Sequence, residues 1–240
     1  MADREMRHVT GPARGALPEI IDEVEDLILD LLDPTCKLLA EELRERCPGL
    51  VPVKRPPGET APPVTVDSQH SAALFTTAFA AAAQAPSAAP GTAVVWADGE
   101  HELLVYPARV RALFRDGFVL VGITVFTEQT GTVEVSVPFA VGSSAAPAGL
   151  MIATEPVPRG PALLVERWGD QLIAAAWQAL VHLAGGIAAA AGTDTAGAPL
   201  IPVALTAGRA GLTVLPQATP AVSTASSETP PGAGPPRGRT

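Results

Sequence analysis

Four histidines, His8, His70, His101 and His182, are the most versatile groups in the chain, and they stand far apart. No two have the i, i+4 spacing by which HExxH sets two imidazoles on one helix face, so the sequence offers no metal site and implies no cofactor. His101 lies in Glu100-His101-Glu102, just after a turn signal. Alternation along a strand sends those neighbours to opposite faces, so a surface hairpin is the plainer reading. His182 falls in an apolar helical run, where a structural or solvent-contacting histidine outweighs a catalytic one. Glu128 and Glu134 flank Thr130-Gly131. Two carboxylates in a cleft could divide acid–base work, but carboxylates at a hairpin end are usually solvated.

Nucleophile signals are fainter still. Gly142-Ser143-Ser144-Ala145-Ala146 has the first half of a G-x-S-x-G elbow, lacks the second glycine, and meets Pro147 where a helix should begin. Asp194-Thr195-Ala196-Gly197 reads as a loop, not the Asp-Thr-Gly of an aspartic protease. No phosphate loop or dinucleotide fingerprint is present. Cys36 and Cys47 share an apolar helix face, which favours buried thiols over a redox pair. Arg109, Arg111 and Arg115 share a strand face by parity and form a small basic strip. That strip is either a solvated sheet face or a site for an anion or an acidic partner. The chain therefore leans away from being an enzyme.

Elements that would position these groups follow from periodicity. Residues 1–16 read as a disordered lead-in. Over ALPEIIDEVEDLILDLLDP, Ile20, Ile21, Val24, Leu27, Ile28, Leu31 and Leu32 fall on one side of a helix, with acidic residues opposite. Asp33-Pro34 then caps and starts a second helix ending at Cys47. Residues 17–47 thus form an acidic amphipathic helical pair. The proline-rich stretch 48–66 reads as an extended linker. Residues 67–217 read as one α+β domain. It comprises a helix capped by Asp67 or Ser68, an antiparallel meander turned at Asp98-Gly99, Asp116-Gly117 and Thr130-Gly131, a possible further strand at 150–155, one long helix from about Pro161, and a C-terminal hairpin. The Pro/Gly/Ser/Thr-rich tail 218–240 reads as disordered. The fold class is α+β: an antiparallel sheet, a meander plus the C-terminal hairpin, packed on one long Ala-rich helix, with the acidic helical pair at the N-terminus.

Composition bounds the function classes. Of the net charge of −9, a net −7 lies in residues 18–47, which carry ten acidic and three basic side chains. The acidic balance argues against nucleic-acid binding, which draws much of its affinity from cationic neutralisation of phosphate. Two cysteines and a start without an apolar signal core suggest the cytoplasm. The uncharged run QLIAAAWQALVHLAGGIAAAAG, residues 171–192, is long enough for a bilayer. Its many alanines, its Gly185-Gly186 and a stripe holding Gln171, Gln178 and His182 make poor membrane material, and no span is expected. Trp168 and Trp177 are nine residues apart, on opposite sides of the helix. One sheet covers one indole, so a second layer must cover the other: the N-terminal helices, the helix at 69–84, or another subunit.

The element order, small size and acidity resemble the architecture of secretion chaperones. This likeness of element order implies an adaptor or chaperone-like role without fixing one. The leading expectation is a non-enzymatic interaction or assembly protein. It would dock a protein partner or a second copy, as a homo-oligomer, through apolar helix faces carrying Ile20, Val24, Leu27, Ile28, Leu31, Trp168 and Trp177. Equally, the 17–33 helix could simply cover the protein's own core. The alternative is a small enzyme or ligand-binding domain with a pocket between sheet and long helix, near His182, Glu128 or His101.

Overall fold

In the computed structural model of the chain, residues 8–9, 34–85, 89–146, 152–153 and 157–220 are described. The amphipathic segment 17–33, with Ile20, Val24, Leu27, Ile28 and Leu31, lies outside the described residues, as do 221–240.

The expected α+β architecture is present, with one long helix at its centre. Helix α1 (Pro34–Arg46) buries Cys36, Leu39, Ala40 and Leu43, the face its periodicity marks. Helix α2 (Ser68–Ala82) starts at Asp67, whose carboxylate accepts from the amides of Gln69 and His70. Such a cap satisfies donors that a helix start leaves without a partner. Helix α3 (Ala162–Ala191) begins after Pro161 and runs 30 residues. It packs against both α1 and α2. These are the layers that cover the side of α3 turned from the sheets. By length and composition α3 could cross a membrane, yet 83% of its most apolar 18-residue window is buried inside the protein.

Facing the helices is a seven-stranded sheet. Its strands are β1 (His8–Val9), β4 (Val94–Asp98), β5 (His101–Val105), β6 (Arg111–Arg115), β7 (Phe118–Thr127), β8 (Gly131–Ala140) and β9 (Ile152–Ala153). Strands β4 to β8 form the expected meander, with β5 and β6 together in the place of one strand. Both pair with β7, β5 at its C-terminal end and β6 along its N-terminal half. A 3-10 turn at Pro107–Arg109 breaks them apart. At the β4–β5 turn the positive φ falls on Gly99 (+63°), while Asp98 keeps a negative one. The meander's inward residues, among them Trp96, Leu103, Phe114, Ile123 and Val137, join Leu74, Phe75, Trp168 and Leu180 in one core.

The proline-rich stretch 48–66 is extended, and its backbone is hydrogen-bonded into the fold. Strand β2 (Val53–Arg55) pairs in parallel with β10 (Gly192–Asp194), directly after α3. Strand β3 (Val64–Asp67) pairs with β12 (Gly211–Gln217), which pairs in turn with β11 (Ile201–Gly208). Gly192, at φ +150°, is required here: a Cβ would lie 1.9 Å from the carbonyl oxygen of Val53. Pairing with residues some 140 positions away explains why this stretch reads as a plain linker: local sequence holds no record of such partners. Within the lead-in 1–16, His8 and Val9 form β1, parallel to β4.

Candidate functional site

Two surfaces gather the residues that stand out in the sequence. One is a cleft of about 800 Å³ formed by the β4–β5 turn, the β7–β8 turn and the first turns of α3. It brings together His101, Glu128, Glu166, Arg167 and Trp168. Asp98, Glu100 and Glu102 add carboxylates, while Leu104, Phe126, Leu163 and Leu164 give it apolar walls. Its volume is within the range of small-molecule sites. The β7–β8 turn is fixed by Thr127, whose hydroxyl oxygen accepts from the Thr130 amide at 3.1 Å. Glu128 and His101 therefore share a cleft, and His182, named with them from the sequence, does not line it.

The other candidates do not converge there. Glu134 lies across Gly122, where an added Cβ would come 2.9 Å from its carboxylate carbon. His182 is buried in α3 beneath α1, where the Cys36 thiol donates to its carbonyl oxygen at 3.7 Å. His70 sits at the start of α2, its Nδ1 against the Asp67 carboxylate. Ser144 is exposed, and its hydroxyl donates to Asp116 at 3.1 Å with no imidazole between them. The preceding Gly142 is bridged to Thr206, and Ser143 and Ala146 exchange backbone hydrogen bonds across Ser144. Asp194 closes a turn by accepting from the Ala198 amide at 2.8 Å. Among the described residues, no three His, Cys, Asp or Glu side chains are grouped to hold a metal ion.

The second surface is the outer face of the seven-stranded sheet. On β6, Ala112 and Phe114 point into the core, and Arg111, Leu113 and Arg115 point out. Leu113 is 49% exposed. Register places Leu113 beside Leu120, and Leu120 beside Pro138 of β8. Farther along β7, Leu104 of β5 stands beside Phe126. The outward positions Phe118, Leu120, Phe126 and Leu104 are half-buried. Such a run of apolar side chains on an outer face is the kind of surface that proteins bury on association. Arg109 departs from the strand parity, because it ends the 3-10 turn and lays its guanidinium over the Tyr106 ring, 4.9 Å from the centroid. Arg111 and Arg115 alone keep the strip.

Both tryptophans of the long helix touch the protein's own core. Trp168 is 3% exposed and Trp177 is half-buried against the core. What sequence reasoning missed is the outer sheet face, although the period-2 pattern of β6 and β7 held the signal: Leu113, Phe118, Leu120 and Phe126 fall on the parity opposite to the core. The chain matches no family model, and no curated protein or solved structure is similar to it.

Proposed function

We propose that the protein is a non-enzymatic interaction or assembly protein that docks a partner or a second subunit through an apolar face. One observation carries the reading: the outer face of the sheet sets the apolar side chains Leu113, Phe118, Leu120 and Phe126 beside the cationic Arg111 and Arg115. Apolar contact supplies affinity, and flanking charge supplies orientation and choice of partner. The 17–33 stripe, acidic on its other side, is a second docking element in the same reading.

The variant Leu113→Glu/Leu120→Glu tests this, compared with the native chain by thermal melting, light scattering and retention of proteins from the source cells. An unchanged melting curve with loss of the native chain's association supports docking at this face. Association that survives the double substitution refutes it.

A second reading is favoured by the cleft that joins His101 and Glu128 to Glu166, Arg167 and Trp168. In it the protein is a ligand-binding domain or small enzyme for a cationic, partly apolar molecule. The acidic walls match the charge, and Leu104, Phe126 and Trp168 match the rest. Spermine titrated against citrate by calorimetry distinguishes it: equal, unmeasurable heats for both count against it.

A further inference from the structure

A second cleft, of about 350 Å³, lies where the end of α1, the extended stretch after it and the end of α3 meet. It shares no residue with the outer sheet face or with the cleft at the start of α3. Leu43, Cys47 and Ala191 line it, together with residues around β2 and β3. Among the described residues no charged side chain lines it, and Thr65 is the only hydrogen-bonding side chain there besides the Cys47 thiol. Pro62 and Pro63, also in its lining, have no backbone N–H to offer. Val51 stands at the same cleft and is 76% exposed, more than any other large apolar side chain among the described residues. A lining of this kind selects an apolar ligand. An apolar cavity of about 150 Å³ holds benzene, so about 350 Å³ takes an aliphatic chain of roughly ten carbons.

One cation is placed to receive the polar end of such a chain. Val53, in the lining, and Arg55 share one face of β2, with Lys54 on the other. Two residues along a strand span about 7 Å, within reach of an arginine side chain. Arg55 Nε is buried and has no hydrogen-bond partner. Asp194, its register neighbour on β10, is engaged elsewhere: Oδ1 accepts from the Ala198 amide at 2.8 Å. A buried N–H without an acceptor costs stability, and a carboxylate matches a guanidinium in both charge and shape. We propose that this cleft binds a medium-chain aliphatic carboxylate. Its chain lies between Leu43, Val53, Ala61 and Val66, and its carboxylate accepts from Arg55. An amine of equal length would bring like charge to Arg55. An alcohol would fill the cleft equally well but offer the guanidinium no counter-charge.

Cys47 lines the cleft and reports its occupancy in the full native chain. Its labelling by iodoacetamide is followed by peptide mass spectrometry. Decanoate, kept below its micelle concentration, should protect Cys47. Decanol, which keeps the chain without the charge, should bind about tenfold more weakly, and decyltrimethylammonium more weakly still. From hexanoate to decanoate the affinity should climb by about two- to fourfold per methylene. It should level off past roughly ten carbons, where the chain runs out into water. Arg55→Gln should remove the preference for acid over alcohol and leave decanol binding unchanged, while Val51→Glu should weaken both. The comparison of acid with alcohol is made on the native chain, so it stands even where Arg55→Gln does not fold. Equal binding of decanoate and decanol overturns the proposal, as does labelling that neither ligand slows or a preference that survives in folded Arg55→Gln. Protection that grows with protein concentration alone would put a second copy in the cleft. Faster labelling of a chain ending at Pro220 would put the C-terminal tail there. Either result overturns the proposal too, and none of these outcomes bears on docking at the sheet face.

Discussion

Asp67 does two jobs with one carboxylate. One oxygen accepts from the amides of Gln69 and His70 at 3.0 Å each, and the other meets the His70 ring. The hydrogen bond from the His70 amide, followed by that from its ring, holds the Asp67 carboxyl below its ordinary range. A folded-state pKa below the unfolded one means that the unfolded chain binds more protons in the intervening window. The stabilisation is thus present above the ordinary carboxylate range and is lost as pH falls through the lowered value. Asn is also a good helix cap but has no charge to titrate. The stability difference between the native chain and Asp67→Asn should therefore shrink as pH drops below about 4. Denaturant midpoints measured across that range check it, and a difference that stays constant would mean the charge adds nothing. A cap at Asp67 or Ser68 was legible because a capping residue, an apolar run and its period are all local, and the structure places it at Asp67. The neighbourhood of His101 and Glu128 was not, since Glu166, Arg167 and Trp168 reach the same cleft from far along the chain.

At the level of elements, the crossing of α1 on α3 shows what the small residues in AAAWQALVHLAGGIAAAA are for. A Cβ on Gly186 would come 2.6 Å from the Cβ of Leu39, nearer than side chains approach. Arg44 fastens the same crossing, donating from Nη2 to the Ala189 carbonyl at 2.7 Å near the end of α3. That position suits a cation, because the last carbonyls of a helix lack intrahelical donors. Gly186→Ala should destabilise the protein by about 1–3 kcal/mol through overpacking, and Leu39→Ala by about 2–5 kcal/mol through the cavity it leaves. In the double variant the Leu39 Cβ that the added methyl meets is retained as the methyl of the substituted alanine, and only the space of the Cγ and Cδ atoms opens beside it. Part of the overpacking is relieved, so the cost should fall slightly below the sum of the two. Urea titration of the three variants gives the coupling, and strict additivity would show that the two side chains do not share a site. Helix positions and their buried faces could be read from the 3.6 period because burial and spacing agree along α1 and α3. The β5–β6 break could not, since Pro107 ends the pairing by geometry and shifts Arg109 off the parity that Arg111 and Arg115 keep. The wheel of α3 sets Trp168 and Trp177 on opposed sides and does not say which layer covers each. Pairing of helix to helix is a long-range choice that one element's pattern does not contain.

On the scale of the whole molecule, the proline-rich stretch decides how the chain behaves as a unit. A free linker between residues 34–47 and the α+β domain would let the two parts unfold separately. Instead β2 pairs with β10 at the end of α3, and β3 pairs with β12 in the C-terminal hairpin. Leu39, Leu43 and Val66 join one core with Trp96 of the meander, Trp168 of α3 and Leu212 of the last strand. Removing α1 would strip cover from α3, so truncation at residue 33 and truncation at residue 50 are different experiments. Only the first leaves that packing intact. Interlocked elements sharing one core should melt together. Far-UV circular dichroism reports the helices, and fluorescence reports Trp96 of the sheet and Trp168 and Trp177 of α3. The two probes should give one coincident transition in urea for the chain lacking residues 1–33. An earlier far-UV step that leaves the tryptophan signal unchanged would mean that α1 and the strands after it form a unit of their own, joined to the sheet only loosely. Val53→Pro sharpens the comparison by removing the β2 amide donor opposite Gly192, together with a half-buried side chain packed on the small cluster of Ala61, Ala191, Leu200 and Ala218. It should lower the midpoint of that single transition for both probes equally, because the contact it breaks ties the N-terminal arm to the end of the central helix.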